Sequence, residues 1–184
     1  MAIYLIRHTK VDCEGSICYG RSDFELKKGY ESEFKLIKDL LPDNLIAYSS
    51  PLKRCKLLAD YITDNYEIVG NLIEIDFGKW EGLSWNQIPL EEINIWSSDY
   101  VKNKPPMGES FVTLHRRATK FFKSIEGENE NICLITHAGV IRSLLSYTLH
   151  VPLKHIFSLK LNYGTIIKID TIVDNIYNIE FIKL

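Results

Sequence analysis

The chain lacks any apolar run long enough for a secretory leader or a membrane-spanning helix; its N-terminal run, Ile3 to Ile6, is far too short, and no later segment approaches the required length. A soluble, cytoplasmic protein that does not engage a membrane is expected. There is no Cys-x-x-Cys pair either. The four cysteines, Cys13, Cys18, Cys55 and Cys133, show no metal-ligand rhythm with the histidines, which points to free thiols in a reducing compartment. An excess of positive charge is also missing: 22 Lys and Arg stand against 24 Asp and Glu, for a net charge of −2. Nucleic acid and anionic membrane surfaces need a basic face of some size, so neither is an expected partner, and any positive field must be local. Internal repeats and low-complexity tracts are absent. What remains is an ordinary globular composition, 46% hydrophobic and 25% charged over 184 residues, enough for one well-buried core and a single domain over residues 1–184.

Two short stretches organise that chain. Ala2-Ile3-Tyr4-Leu5-Ile6 is apolar and stops abruptly at Arg7-His8-Thr9, and Ile132-Cys133-Leu134-Ile135 stops in the same way at Thr136-His137-Ala138-Gly139. A short continuous apolar run ended by polar residues predicts a strand buried on both faces, as in a parallel sheet. Ligands bind at the carboxyl edge of such sheets. If the two strands are parallel neighbours, His8 and His137 emerge at one edge.

Between them the pattern alternates. A polar loop over Lys10 to Phe24 carries turn glycines Gly15 and Gly20 and the run Tyr19-Gly20-Arg21-Ser22-Asp23. Helix is predicted for Lys28 to Leu41, strand for Leu45 to Tyr48, and helix again from Pro51 to about Asp64, with Arg54 in its first turn and so at the edge of His8. Glu67 to Val69 and Leu72-Ile73 read as extended pieces, leading into an irregular stretch that holds Glu74, Asp76 and Glu81. An aromatic insert, about 83–107, with Trp85, Trp96 and Tyr100, should lie over the sheet edge. Helix follows from Gly108 to about Ile125, then the His137 strand, then helix over Val140 to Leu149. Phe157 to Leu159, Thr165 to Ile169 and Ile176 to Ile182 read as strands, separated by turn residues such as Asn162, Gly164 and Asp174-Asn175. The expected fold is a three-layer α/β/α sandwich around a mostly parallel sheet, ending in a C-terminal hairpin.

Two histidines and two arginines at one strand edge make a specific inventory. Arg7 and Arg54 are always charged and offer forked donors that match phosphate oxygens, so the substrate should carry a phosphate. A neutral imidazole aimed at a clamped phosphorus can attack it and form a phosphohistidine. The second imidazole can stabilise the transition state, and a carboxylic acid can protonate the leaving alkoxide and later activate water. Glu74, Asp76 and Glu81 all qualify, and spacing does not choose among them. A single histidine at a strand end is more often structural, and Arg54 alone would be a surface charge. The functional reading rests on their convergence; His115, His150 and His155 lack that context and read as surface or core-margin residues.

Arg7-His8-Thr9, Ser50-Pro51-Leu52-Lys53-Arg54, the Glu74 to Gly82 stretch and Thr136-His137-Ala138-Gly139 together resemble the histidine phosphatase superfamily, the phosphoglycerate mutase-like group, over almost the whole chain and in the family's order. The resemblance implies His8 as nucleophile, Arg7 and Arg54 as phosphate clamp, His137 as second pocket histidine, Glu74 as the acid, and no metal or other cofactor. The chain departs from the commoner Arg-His-Gly-Glu-Thr opening, having Arg7-His8-Thr9-Lys10. Its Cys18-Tyr19-Gly20-Arg21-Ser22-Asp23 and Pro105-Pro106-x-Gly108-Glu109-Ser110 segments look like the branch of α-ribazole-5′-phosphate phosphatases of cobalamin nucleotide-loop assembly. That likeness implies substrate contacts from Arg7, Thr9, Tyr19, Gly20, Arg21, Ser22, Arg54 and Ala138; the aromatics Trp85, Trp96, Tyr100 and Tyr19 either stack on a flat base or close a small hydrophobic core under the insert. The alternatives are a broad-specificity sugar or nucleotide phosphatase, a phosphoglycerate mutase, and a non-catalytic phosphate-binding module.

Overall fold

The computed structural model describes residues 2–13, 16–173 and 176–183; the turns expected at Gly15 and at Asp174-Asn175 lie outside the described residues. Strands β1 (Ala2–Arg7), β2 (Ile46–Ser49), β3 (Tyr66–Ile68), β4 (Ile132–Thr136), β5 (Ile166–Val173) and β6 (Ile176–Lys183) form one sheet in the order β3-β2-β4-β1-β5-β6. The first four are parallel and β5 and β6 antiparallel. The condition set by the sequence holds: β1 and β4 are parallel neighbours, with Arg7 opposite Thr136, so His8 and His137 leave the same edge.

Alternation along β1 builds two core layers. Ile3 and Leu5 face helices α4 (Phe111–Ile125) and α5 (Ala138–Thr148), whereas Ala2, Tyr4 and Ile6 face α1 (Tyr30–Lys38) and α2 (Lys53–Ile62). Both faces of the strand are thus covered, which is why it reads as an unbroken apolar run. Helix α4 shows the matching period, burying Phe111, Leu114, Ala118, Phe122 and Ile125 on one side, with Ser110 capping the Thr113 amide.

The insert contains a 3-10 turn at Trp85–Gln87 and helix α3 (Leu90–Ser98). It covers the edge through a train of rings, Trp80, Trp85, Trp96, Tyr100, Phe157 and Phe111, with successive centroids 4.7–6.3 Å apart. Phe157 therefore corrects the strand expected at Phe157 to Leu159: the segment is a 3-10 turn, Ile156–Ser158, anchored by buried Ile156 and by ring contacts across to α4 and the insert. Leu72, expected in an extended piece, ends another 3-10 turn, Gly70–Leu72, and its carbonyl accepts the Thr136 hydroxyl at 2.7 Å. Among the described residues no helix is long and apolar enough to cross a membrane.

Candidate active site

Three backbone hydrogen bonds set the edge. The His8 amide donates to Thr136 O at 3.0 Å, the Ser50 amide to Ile135 O at 2.9 Å, and the Gly164 amide to His8 O at 3.2 Å. The last brings the loop before β5 to the same place, because an antiparallel neighbour starts where β1 ends.

His8 is buried, and its Nδ1 lies 2.7 Å from Thr9 O. A carbonyl only accepts, so Nδ1 carries the hydrogen and Nε2 keeps its lone pair. Burial, then the charges of Arg54 and Arg7, hold this imidazole well below the usual histidine range despite the bond to Thr9. His137 stands 5.1 Å away, ring to ring. Its Nε2 is 2.7 Å from Ser50 Oγ and 3.5 Å from Cys55 Sγ, and burial followed by the Arg54 charge lowers its pKa too. Both rings are thus neutral near pH 7, one of them with a free nucleophilic nitrogen.

The two guanidinium groups are fixed from opposite sides. Arg7 donates to Leu161 O at 2.6 Å and lies 3.8 Å from the Tyr163 ring centre; Arg54, 1% exposed, donates to Ser22 O at 2.8 Å and to Gly20 O, and its Cζ is 5.5 Å from the Tyr19 ring centre. Asp23 is its nearest carboxylate, at 3.5 Å. Among the described residues the buried Nε of each arginine has no hydrogen-bond partner, and neither does Thr9 Oγ1. Buried donors without partners are costly, so this cluster is built for an anion.

The three carboxylates separate cleanly. Glu81 accepts from the Gly20, Arg21, Ser22 and Phe77 amides and the Ser22 hydroxyl. Burial alone would raise its pKa, but these donors more than offset that and leave it lowered. Asp76 accepts the Gly78 amide at 2.7 Å and pairs with Arg21 at 3.2 Å. Glu74 differs: one oxygen takes its neighbour Ile75's amide at 3.0 Å, the other the Gly139 amide at 3.1 Å in the first turn of α5, and its side chain lines the cavity.

That cavity, about 250 Å³, is bounded by Arg7, His8, Ile17, Tyr19, Arg54, Glu74, Phe77, Trp85 and Tyr163. A second, of about 220 Å³, adjoins it and shares Glu74, Phe77 and Trp85; Ile75, Trp96, Tyr100, Phe111, Phe157, Ala138, Gly139 and Arg142 complete its mainly apolar wall. Of the expected contacts, Arg7, Tyr19 and Arg54 meet in the first cavity and Ala138 in the second. Arg21, Ser22 and Gly20 are spent elsewhere: Arg21 pairs with Asp76 and Glu109 and reaches Glu74 O, Ser22 and Gly20 bind Glu81, and the Gly20 and Ser22 carbonyls accept from Arg54. These three hold the loop that holds Arg54. Thr9 is fully buried and supplies the carbonyl that fixes the His8 tautomer. Tyr163, Phe77 and Phe157 were missed from sequence, Tyr163 because Asn162 and Gly164 mark a turn. His115 pairs with Ser143 at 3.0 Å, away from the cavity.

Arg7, His8 and Arg54 line one cavity, and His137, expected in the same pocket, lies buried behind it, 5.1 Å from His8 ring to ring with its Nε2 on Ser50 Oγ, an arrangement suited to phosphoryl transfer. The family model for the histidine phosphatase superfamily, branch 1, matches residues 3–177, and the chain belongs to that superfamily, which implies phosphatase or mutase activity. Among curated proteins it is 29% identical over 195 residues to a 6-phosphofructo-2-kinase/fructose-2,6-bisphosphatase of Aquarana catesbeiana, covering 99% of this chain and 41% of that protein. It is also 29% identical over 177 residues to the human isozyme 4, covering 91% and 37%. The chain thus spans about two fifths of these relatives. Among solved structures, the alpha-ribazole phosphatase of Shigella flexneri superposes with a TM-score of 0.88 at 22% identity, covering 98% of this chain and 95% of that one. A mycobacterial glucosyl-3-phosphoglycerate phosphatase gives 0.85 at 18%, covering 98% and 97%. These two are likenesses of fold.

Proposed function

We propose that this chain is a metal-independent phosphomonoesterase that works through a phosphohistidine on His8, with α-ribazole 5′-phosphate as its substrate. His8 Nε2 attacks phosphorus while Arg7 and Arg54 neutralise the charge gathering on the equatorial oxygens. Glu74 gives its proton to the departing oxygen, the P–O bond breaks, and the alcohol leaves. Glu74, now a carboxylate, takes a proton from water, whose oxygen displaces His8 and releases inorganic phosphate. His137, kept neutral by its burial and then by the Arg54 charge, becomes a donor once the bound dianion offsets that positive field. The observation that carries this reading is the His8 ring: its Nδ1 is tied to Thr9 O, which leaves Nε2 as a nucleophile in the cavity it lines with half-buried Arg7 and buried Arg54.

The second cavity supports an aromatic leaving group. Its ring-lined wall suits a flat base, and among the described residues Arg142 is the one cationic side chain along it, with its Nε and one terminal nitrogen donating to Leu159 O. A sugar bisphosphate, the substrate suggested by the sequence relatives, would bring a second dianion, for which a single arginine is a poor match. The test is kcat/KM for α-ribazole 5′-phosphate against fructose 2,6-bisphosphate, 3-phosphoglycerate and nucleoside monophosphates, with EDTA present throughout and a His8→Ala control. Preference for the ribazole ester and loss of turnover in the variant are expected. Near wild-type turnover by His8→Ala removes the mechanism, and preference for fructose 2,6-bisphosphate replaces the substrate.

A further inference from the structure

We propose that the hydrogen bond between Tyr19 and Tyr163 is a strap that sets the span of the phosphate clamp, making both tyrosines positioning residues for Arg7 and Arg54. The hydroxyls are 2.6 Å apart although 144 residues separate them in sequence. Each tyrosine belongs to the loop that holds one arginine. Leu161 O and the Tyr163 ring face hold Arg7; Gly20 O, Ser22 O and the Tyr19 ring face hold Arg54. The first loop precedes β5 and the second follows β1, and this hydroxyl pair joins them at the cavity wall. The Tyr163 ring also sits 5.6 Å from His8, so the strap passes beside the nucleophile.

The chemistry follows from the span. Two rigid forks capture a tetrahedral dianion only if the distance between them matches its oxygens, and a misplacement of about 1 Å is enough to cost a large factor in rate. Arginine on a tyrosine face is held in its plane but remains free to slide along the ring. The hydroxyl bond removes that freedom by fixing one ring against the other. Because the clamp touches only the phosphoryl group, loosening it should weaken every monoester equally, whatever its leaving group.

The inference rests on the phosphatase reading of this site, and the experiment separates the two. Orthovanadate and inorganic phosphate binding are measured calorimetrically on the full chain for wild type, Tyr19→Phe, Tyr163→Phe and the double variant, with thermal unfolding alongside. Each single variant keeps its ring and should lose about fivefold in anion affinity, the factor carried by one net hydrogen bond, with similar melting. The double variant should lose no more than either single, because both remove the same bond. KM should rise by the same factor for aryl and alkyl monoesters. Multiplicative losses in the double variant, anion affinities equal to wild type, or a loss that depends on the leaving group would each overturn the strap. A wild-type protein that binds neither anion would overturn the site reading itself, and the strap with it.

Discussion

Lowering the pH should destabilise this fold through the same two imidazoles that the proposed chemistry needs neutral. In the unfolded chain His8 and His137 each take a proton near their ordinary value of 6.5; in the folded chain burial first, then the Arg54 charge, holds both well below it. The folded pKa is depressed, so the stability each ring contributes is fully present above the unfolded value and is lost as pH falls through the window beneath it. For a ring that stays neutral in the fold, the loss grows by about 1 kcal/mol between about pH 6.5 and 5.5, or about 2 kcal/mol for the pair. That is a sizeable part of the roughly 5–15 kcal/mol that holds a typical domain together. The assay is urea unfolding followed by tryptophan fluorescence across this range, for wild type and for the His8→Asn, His137→Asn double variant. His115, also lowered by burial, is present in both and sets a common residual slope. The double variant should lose most of the 2 kcal/mol dependence. An identical pH dependence in the two proteins would refute the reasoning, because it would mean that the imidazoles titrate alike folded and unfolded.

Three further outcomes are expected. Glu74→Gln should slow hydrolysis of alkyl monoesters by about 10²–10⁴-fold but of nitrophenyl phosphate far less, since that anion leaves without a proton; equal losses in steady-state kcat/KM would remove Glu74 as the acid. Gly139→Ala would place a Cβ 2.3 Å from Glu74 Oε1, and because the end of that side chain can swing away, activity should drop at least about tenfold while the unfolding free energy measured in urea falls by less than about 1 kcal/mol. Unchanged activity would show that Glu74 does not need its seat on α5. Glu81→Ala strips the acceptor from four amides and a hydroxyl, so it should destabilise by about 3 kcal/mol or more and raise KM through the loosened Gly20 and Ser22 carbonyls; a protein as stable as wild type would contradict the anchoring role.

The parts of this site that could be read from sequence are those that sit at the ends of buried parallel strands. Arg7-His8 and Thr136-His137 end runs that are apolar on both faces, and Arg54 opens a helix that follows such a strand, so edge and neighbours follow from pattern alone. Tyr163 could not be read this way. Its loop reaches the edge only because β5 runs antiparallel to β1, a pairing that strand length and composition do not specify. Phe157 looked like part of a strand for a related reason: a short apolar run has no period, and ring packing against Phe111 and Tyr100 decided its conformation. Arg21 and Ser22 have the residue types of a phosphate grip, yet carboxylates at Asp76, Glu109 and Glu81, distant in sequence, absorb them. Residue type indicates what a side chain can bind, and only the fold determines whether a partner has already taken it.

The same distinction explains why one carboxylate of three is left for chemistry. A phosphomonoester has a single atom common to its two halves, the bridging oxygen, and a general acid must reach that atom. If the phosphoryl group occupies the arginine-lined cavity and the leaving group the aromatic one, the bridging oxygen lies where the two meet. The side chains common to both walls are Glu74, Phe77 and Trp85, and only the first can carry a proton. Glu81 and Asp76 line neither cavity, each turned to backbone amides and, for Asp76, to Arg21. On the proposed mechanism, the position of that boundary supports Glu74 as the acid without appeal to spacing, and it ties the proposed acid to the leaving-group chamber. A substrate whose leaving group fails to fill that chamber would leave the bridging oxygen free to drift from Glu74, so selectivity should appear in the rate of P–O cleavage as well as in binding.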